Sequence, residues 1–276
     1  VNSIDRSEFV DGDWVNEATA GDVPEVVINP TSFPLETSKR TDTASGYKID
    51  TYATKPTHLR FDENLVVNYD KRLSVLSDHL NEIQSSMTTN IAYKWGPTNS
   101  TNIIRTTGDA TNLSLSSGAT GTRKRITFAD FLAAKTYFDR NNIPLEDRHC
   151  LLNAVQAWEL LSIPEFAHYD KTGLSGITTT GKMDARVGFN IHVRSTSPVY
   201  TNAGTPAKKA VTEATAVSDN LAVLFWHNKS VTRAKGKVDV FLNIGLANYL
   251  GDVFNCAARA GGSMRHANQK GVLALV

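Results

Sequence analysis

Between Asp70 and about Ile91 the apolar residues Leu73, Leu76, Leu80, Ile83, Met87 and Ile91 follow one another at steps of three and four. Residues so spaced share one face of an α-helix, so the pattern lays a single apolar stripe along it. Lys71, Arg72, Asp78, Asn81, Glu82 and Gln84 fall on the water-seeking side. Asn68 is placed to cap the start, Asp70 suits the positive end of the helix dipole, and Gly96-Pro97 stops continuation. About 22 residues at roughly 1.5 Å each make a rod of about 33 Å. No other helical stripe in the chain is as long.

The flanks have other rhythms. Residues 1–22 are acidic and polar, with isolated apolar anchors at Ile4, Phe9, Val10, Trp14 and Val15, which predicts an arm laid over the rest of the protein or over a neighbour. Residues 23–62 predict a long β-hairpin: β-branched Val23–Ile28 and alternating Tyr47–Tyr52 are its strands, and the Thr-, Ser- and Pro-rich stretch 29–46 is its loop. Past the long helix, strands are expected at Asn102–Thr106 and near Asn112–Leu115. A helix is expected over 127–141, capped at Thr127, with Phe128, Phe131, Leu132, Lys135 and Phe138 at helical spacing. A buried strand at 148–153, a short helix at 154–161 and an alternating strand at 187–195 come next. Leu221–His227 is strongly apolar, and Val238–Leu242 reads as a strand. Leu246–Arg259 reads as a helix ended by Gly261-Gly262, and 264–266 and 271–276 as closing extended pieces. Strands and helices mix without a βαβα rhythm, which predicts an α+β fold.

Composition narrows the function classes. The 276 residues are 41% hydrophobic and 21% charged, as in a globular protein. Twenty-nine basic against 28 acidic side chains leave a net charge of +1, which argues against a nucleic-acid coat or a membrane-surface protein as the main role. No run approaches the roughly 18 apolar residues of a membrane span, and no signal peptide is visible. Two cysteines, Cys150 and Cys256, cannot build a disulfide framework and read as buried free thiols in a reducing compartment.

Catalytic chemistry is hard to find. Residues 176–183 (GITTTGKM) nearly match a phosphate-binding loop, but Met183 stands where a hydroxyl must ligate magnesium, and a strand-like stretch follows where a helix is needed. His149 and Cys150 are adjacent in a strand and point to opposite faces, so they cannot share a metal. The seven histidines and the carboxylates are scattered. Arg123-Lys124-Arg125 is a short basic cluster that reads as a solvated loop, with contact to nucleic acid or an acidic partner surface as the alternative. No enzyme, cofactor or metal site is expected.

An acidic arm, an extended hairpin, a long helix and an α+β remainder, in that order, resemble the major capsid proteins of tailed bacteriophages with the Hong Kong 97-like fold. Residues 1–22 resemble the family's N-arm, 23–62 its extended loop and 70–91 its spine helix. The stretch RHCLLNAVQAWELLS after the second helix and the closing GDVFNCAARAGGSMRHANQKGVLALV are also similar. The resemblance implies a peripheral domain over 63–126, an axial domain over 127–235 and a return to the peripheral domain over 236–276. It implies pentamers and hexamers in an icosahedral shell around double-stranded DNA, with scaffolding and portal proteins as partners and no membrane. Assembly would occur in the host cytoplasm, and the final place would be the virion. Subunit contacts are expected at Phe9, Trp14, Lys39, Arg40, Tyr47, Arg72, Asp78 and Glu82. The alternatives are a nanocompartment shell of the same fold or a β-rich binding or adhesion module.

Overall fold

The computed structural model describes residues 2–19, 26–35, 37, 39, 43–60, 71–109, 124–167, 185–216 and 218–276. Strands β1 (Ile4–Asp5) and β2 (Val10–Asp11) precede β3 (Trp14–Thr19), β4 (Thr43–Lys48), β5 (Asp50–Ala53) and β6 (Thr57–Arg60). The long helix α1 (Lys71–Trp95) follows, then β7 (Ile103–Ile104), α2 (Phe128–Arg140), β8 (Arg148–Asn153), α3 (Ala154–Leu161) and α4 (Pro164–Ala167). The chain continues through β9 (Ala185–Arg186), β10 (Phe189–Arg194), β11 (Val199–Tyr200), β12 (Asn220–Leu221) and β13 (Val223–His227). It ends in the long strands β14 (Val231–Leu246) and β15 (Gly251–Met264) and the short β16 (Val272–Leu275).

Two sheets carry the architecture. One runs β7-β16-β13-β8-β10-β9, with β8 and β10 parallel and β13 antiparallel to β8. The other is built on the β14–β15 hairpin, with β1 on its outer edge and β5 and β6 along β15. The six-stranded sheet is covered on one face by α2 and α3. Phe131, Phe138, Phe166, Phe189 and Phe225 pack there edge to face around Cys150, Leu152 and Leu273. Helix α2 starts on a capping box: Thr127 accepts from the Asp130 N–H, and the Asp130 carboxylate accepts from the Thr127 N–H.

Helix α1 reaches four residues beyond the predicted Ile91 before Gly96-Pro97 stops it. Its predicted cap Asn68 and first-turn Asp70 lie outside the described residues. The helix touches both sheets. Ile83 and Met87 pack on Cys256, Ala258 and Ala260 of β15, while Ala92 and Trp95 pack on Leu151, Leu224 and Trp226 of the other sheet. Leu73, at the start of the predicted stripe, is exposed. At the far end the Lys208 ammonium donates to the carbonyls of Tyr93 (2.9 Å) and Gly96 (2.6 Å), satisfying acceptors that the last helical turn leaves open.

Two expectations need correction. The predicted helix over 246–259 is the strand β15. Its side chains alternate, with Asp252, Phe254, Cys256, Ala258 and Ala260 buried. Small residues at every second position let α1 lie close to the sheet, so tertiary packing overrides the helical preference of the alanines. The first strand of the predicted hairpin is Trp14–Thr19, inside the predicted arm, paired from Trp14↔Lys48 to Thr19↔Thr43. Val26–Ile28 are exposed and form no strand. The closing strand β16 pairs with β13 and with β7, so the end of the chain and Ile103–Ile104 lie in the six-stranded sheet.

Candidate assembly surface

The arm is tied to its own subunit at its root. The Asp5 carboxylate accepts from the Ser7 N–H (2.9 Å) and hydroxyl (2.5 Å), and these bonds hold its pKa below the ordinary carboxylate value. Arg6 faces Glu17 at 3.4 Å, and the Ser7 hydroxyl accepts from the Lys235 N–H at 2.9 Å. Strand alternation then divides the side chains of β3. Val15 is sealed inside with Ile49 and Ala234, while Trp14 points out and stays about half exposed. The indole lies over Gly46, where an added Cβ would stand 3.4 Å from the ring and 3.0 Å from the Val15 carbonyl oxygen. Phe9 is likewise about half exposed, with the Arg6 guanidinium 5.3 Å from its ring centre.

Tyr47 behaves differently from the other predicted contact residues. It is half-buried against the Val15–Ile49 cluster, and burial pushes its hydroxyl up to about 12. Lys39 is exposed, and Arg40 lies outside the described residues. Val26, Val27, Ile28, Phe33 and Leu35 are all exposed. An apolar stretch this exposed is a surface suited to contact with another chain.

On α1, Asp78 and Glu82 point to solvent, whereas Arg72 is held by an ion pair to the buried Asp252 carboxylate. Asp252 also accepts from the Gly245 N–H at 2.9 Å and so fixes the turn between β14 and β15. Around that turn Val240, Phe241, Leu242, Ile244, Tyr249 and Leu250 form a second exposed apolar patch, with Tyr249 against His58 at 5.5 Å. Sequence reasoning missed this tip because it assigned its second half to a helix. The available signal was the pair Gly245 and Gly251, bracketing the turn between two β-rich stretches.

The interior holds structural rather than reactive chemistry. His149 and Cys150 do face opposite sides of β8: His149 stacks on Trp226, and Cys150 lies in the phenylalanine cluster, where burial raises its thiol pKa well above the ordinary value. Both cysteines are free and buried. His79 joins α1 to the β5–β6 region through the hydroxyls of Thr54 (2.6 Å) and Thr57 (2.9 Å). Arg148 is buried, donates to the carbonyls of Ile143 (2.5 Å) and Pro144 (2.8 Å), and pairs with Asp139 at 2.8 Å. Among the described residues no group of three or more His, Cys, Asp or Glu side chains could hold a metal. The near-match to a phosphate loop at 176–183 lies outside the described residues.

The comparisons with known proteins agree with a subunit of this kind. A family model described as phage capsid protein matches residues 80–240. The fold superimposes on the capsid structure of the cyanophage P-SCSP1u with a TM-score of 0.69 and 17% identity, over 99% of this chain and 86% of that one. It matches the Ralstonia phage GP4 capsid at TM-score 0.67 and 11% identity, over 100% and 86% of the two chains. It matches the mature capsid of bacteriophage PhiM1 at 0.66 and 11%, over 99% and 85%. No curated protein sequence matches the chain. The chain belongs to the phage capsid protein family, a non-enzymatic family, and is a structural subunit of a bacteriophage virion shell with the Hong Kong 97-like fold.

Proposed function

We propose that this subunit forms pentamers and hexamers that close into an icosahedral shell around double-stranded DNA. The observation that carries the reading is the exposed apolar surface at two places: the loop Val26–Leu35 and the β14–β15 tip. Isolated chains rarely leave such surface in water, and a shell supplies the cover by placing each patch on a neighbouring copy. In this reading the arm (1–22) and extended loop (23–62) strap adjacent subunits, with Phe9, Trp14, Lys39 and Arg40 as contacts. Asp78 and Glu82 face a subunit boundary, while Tyr47 and Arg72 stiffen the parts that make contact. The β14–β15 sheet with α1 is the peripheral domain, and the six-stranded sheet with α2 and α3 is the axial domain.

A near-neutral chain also lets many copies pack without strong mutual repulsion. Packaged DNA meets the inner face without sequence recognition. Scaffolding and portal proteins set shell size and the packaging vertex, and assembly takes place in the host cytoplasm. Electron microscopy of the purified protein, alone and after addition of scaffold, tests the proposal. Uniform closed shells or capsomer rings are expected. A strictly monodisperse monomer at high concentration under both conditions overturns it.

A further inference from the structure

A cavity of about 680 Å³ opens between α1, the first residues of β14 and the strand β10. Its floor is apolar, made by Met87, Ile91, Trp95 and Trp226. Three cations, Arg194, Arg233 and Lys235, stand around it, and no carboxylate is among its lining residues. Arg233 meets Asp5 only at 3.7 Å. One terminal nitrogen of Arg194 faces the Ser85 carbonyl at 3.3 Å and the Thr89 hydroxyl at 3.5 Å. The other terminal nitrogen of Arg194, the Nε of Arg233 and the hydroxyl of the buried Ser3 are buried and have no hydrogen-bond partner among the described residues. Donors buried in this state are costly unless an acceptor reaches them.

The backbone beside the cavity has the same character. Residues 190–194 of β10 pair with β8 on one side, but β9 covers the other side only at Phe189 and Asn190. Ile191–Arg194, which line the cavity, therefore lack a strand partner on that side among the described residues. An open strand edge accepts an extended chain through main-chain hydrogen bonds, while alternate side chains enter pockets.

From these three features we infer that the cavity binds an extended acidic peptide segment of a partner protein. One carboxylate of the peptide sits between Arg194 and Arg233, and a neighbouring apolar side chain rests on Met87 and Trp226. A free small anion would use the donors but not the apolar floor or the strand edge. The inference concerns this cavity alone and does not depend on shell closure.

The test uses the purified subunit and a labelled, N-acetylated hexapeptide of alternating leucine and glutamate, followed by fluorescence anisotropy. Saturable binding is expected, weakened by salt, and at least about tenfold tighter than for the glutamine or lysine versions of the peptide. Arg194→Met with Arg233→Met should lose about tenfold in affinity, while Lys237→Met, a change at an exposed lysine outside the cavity, should lose none. The series of peptides on the unaltered protein keeps the test valid if the double variant fails to fold. Equal binding of the glutamate and glutamine peptides, or none, overturns the inference. So does binding of inorganic phosphate without peptide binding, which would leave a small-anion site only. Shells that assemble normally while the peptide fails to bind would sink this inference and leave the shell function standing.

Discussion

The indole N–H of Trp95 donates to the carbonyl of Thr232 at 3.0 Å, joining the last turn of α1 to the start of β14 in the sheet built on the long hairpin. The same ring packs on Trp226, 5.6 Å between centres. Trp95→Ala would open a cavity at the meeting of both sheets and should cost about 3–5 kcal/mol. Trp95→Phe keeps most of the volume and loses mainly the hydrogen bond, so about 1 kcal/mol plus a small packing loss is expected. Urea denaturation of unassembled subunits ranks the two variants, and equal stability of all three proteins would contradict the assigned role.

The β14–β15 turn is equally specific. A Cβ added at Gly251 would stand 2.0 Å from the Leu59 carbonyl oxygen, which belongs to the neighbouring strand β6. Gly251→Ala must therefore push β6 off β15, at a cost of about 1–3 kcal/mol or more. Hydrogen exchange should quicken at residues 57–60 and 251–254 and stay unchanged in α2. Uniform exchange identical to that of the unaltered protein would refute the close approach.

Acid should weaken the subunit in two stages. Burial, and then the neighbouring His192, lowers the His149 pKa from 6.5 to about 4. The unfolded chain thus binds a proton that the folded chain refuses, so stability is full above about 6.5 and is lost as pH falls toward 4. His192, His227 and His266 are lowered too, chiefly by burial, and act in the same direction. A second stage follows below the ordinary carboxylate range. The hydrogen bonds from Lys135 and then Arg148 hold Asp139 below 3.8, and its contribution disappears only as it protonates. His149→Phe, which keeps a ring against Trp226, should reduce the first stage, leaving the part due to the other three histidines, and leave the second unchanged. Urea midpoints between pH 7 and 3 measure both stages.

The extended loop should be dispensable for folding and needed for assembly. Replacing residues 26–42 by a short Gly-Ser turn keeps β3 and β4 connected and removes Val26, Val27, Ile28, Phe33 and Leu35, which are all exposed. Thermal melting of the subunit should shift by no more than the roughly 0.5 kcal/mol typical of surface changes. Shell yield by electron microscopy should collapse. Normal shells from this variant would show that the loop is not a strap.

Much of the fold was legible where burial writes a clear hydrophobic pattern into an element. The three-four spacing of Ile83, Met87 and Ile91 found α1, and Thr127 with Phe131 and Phe138 found α2. The apolar run RHCLLN found β8, which is buried along its whole length. The strand β15 was not legible, because alanine and cysteine at alternate positions carry little hydrophobic contrast and match a helical composition. Nor could the sequence show that β4 pairs with Trp14–Thr19, since pairing partners are fixed by register and by the burial of Val15 and Ile49, not by local propensity. Of the candidate surface, Phe9 and Trp14 stand out in the sequence as aromatic residues in a polar arm, and the structure leaves both about half exposed. Tyr47 and Arg72 also make contacts within their own subunit, Tyr47 with the Val15–Ile49 cluster and Arg72 with Asp252.

Helix α1 also has a mechanical meaning. Its first half is seated on β15 and its last turn on the six-stranded sheet. Twenty-five residues make a rigid beam of about 38 Å. A torque on the hairpin cannot be absorbed in a loop between the sheets. It must bend the beam or shear the close-packed contacts at one of its seats, so the two plates of the subunit turn together, like wheels on a common axle.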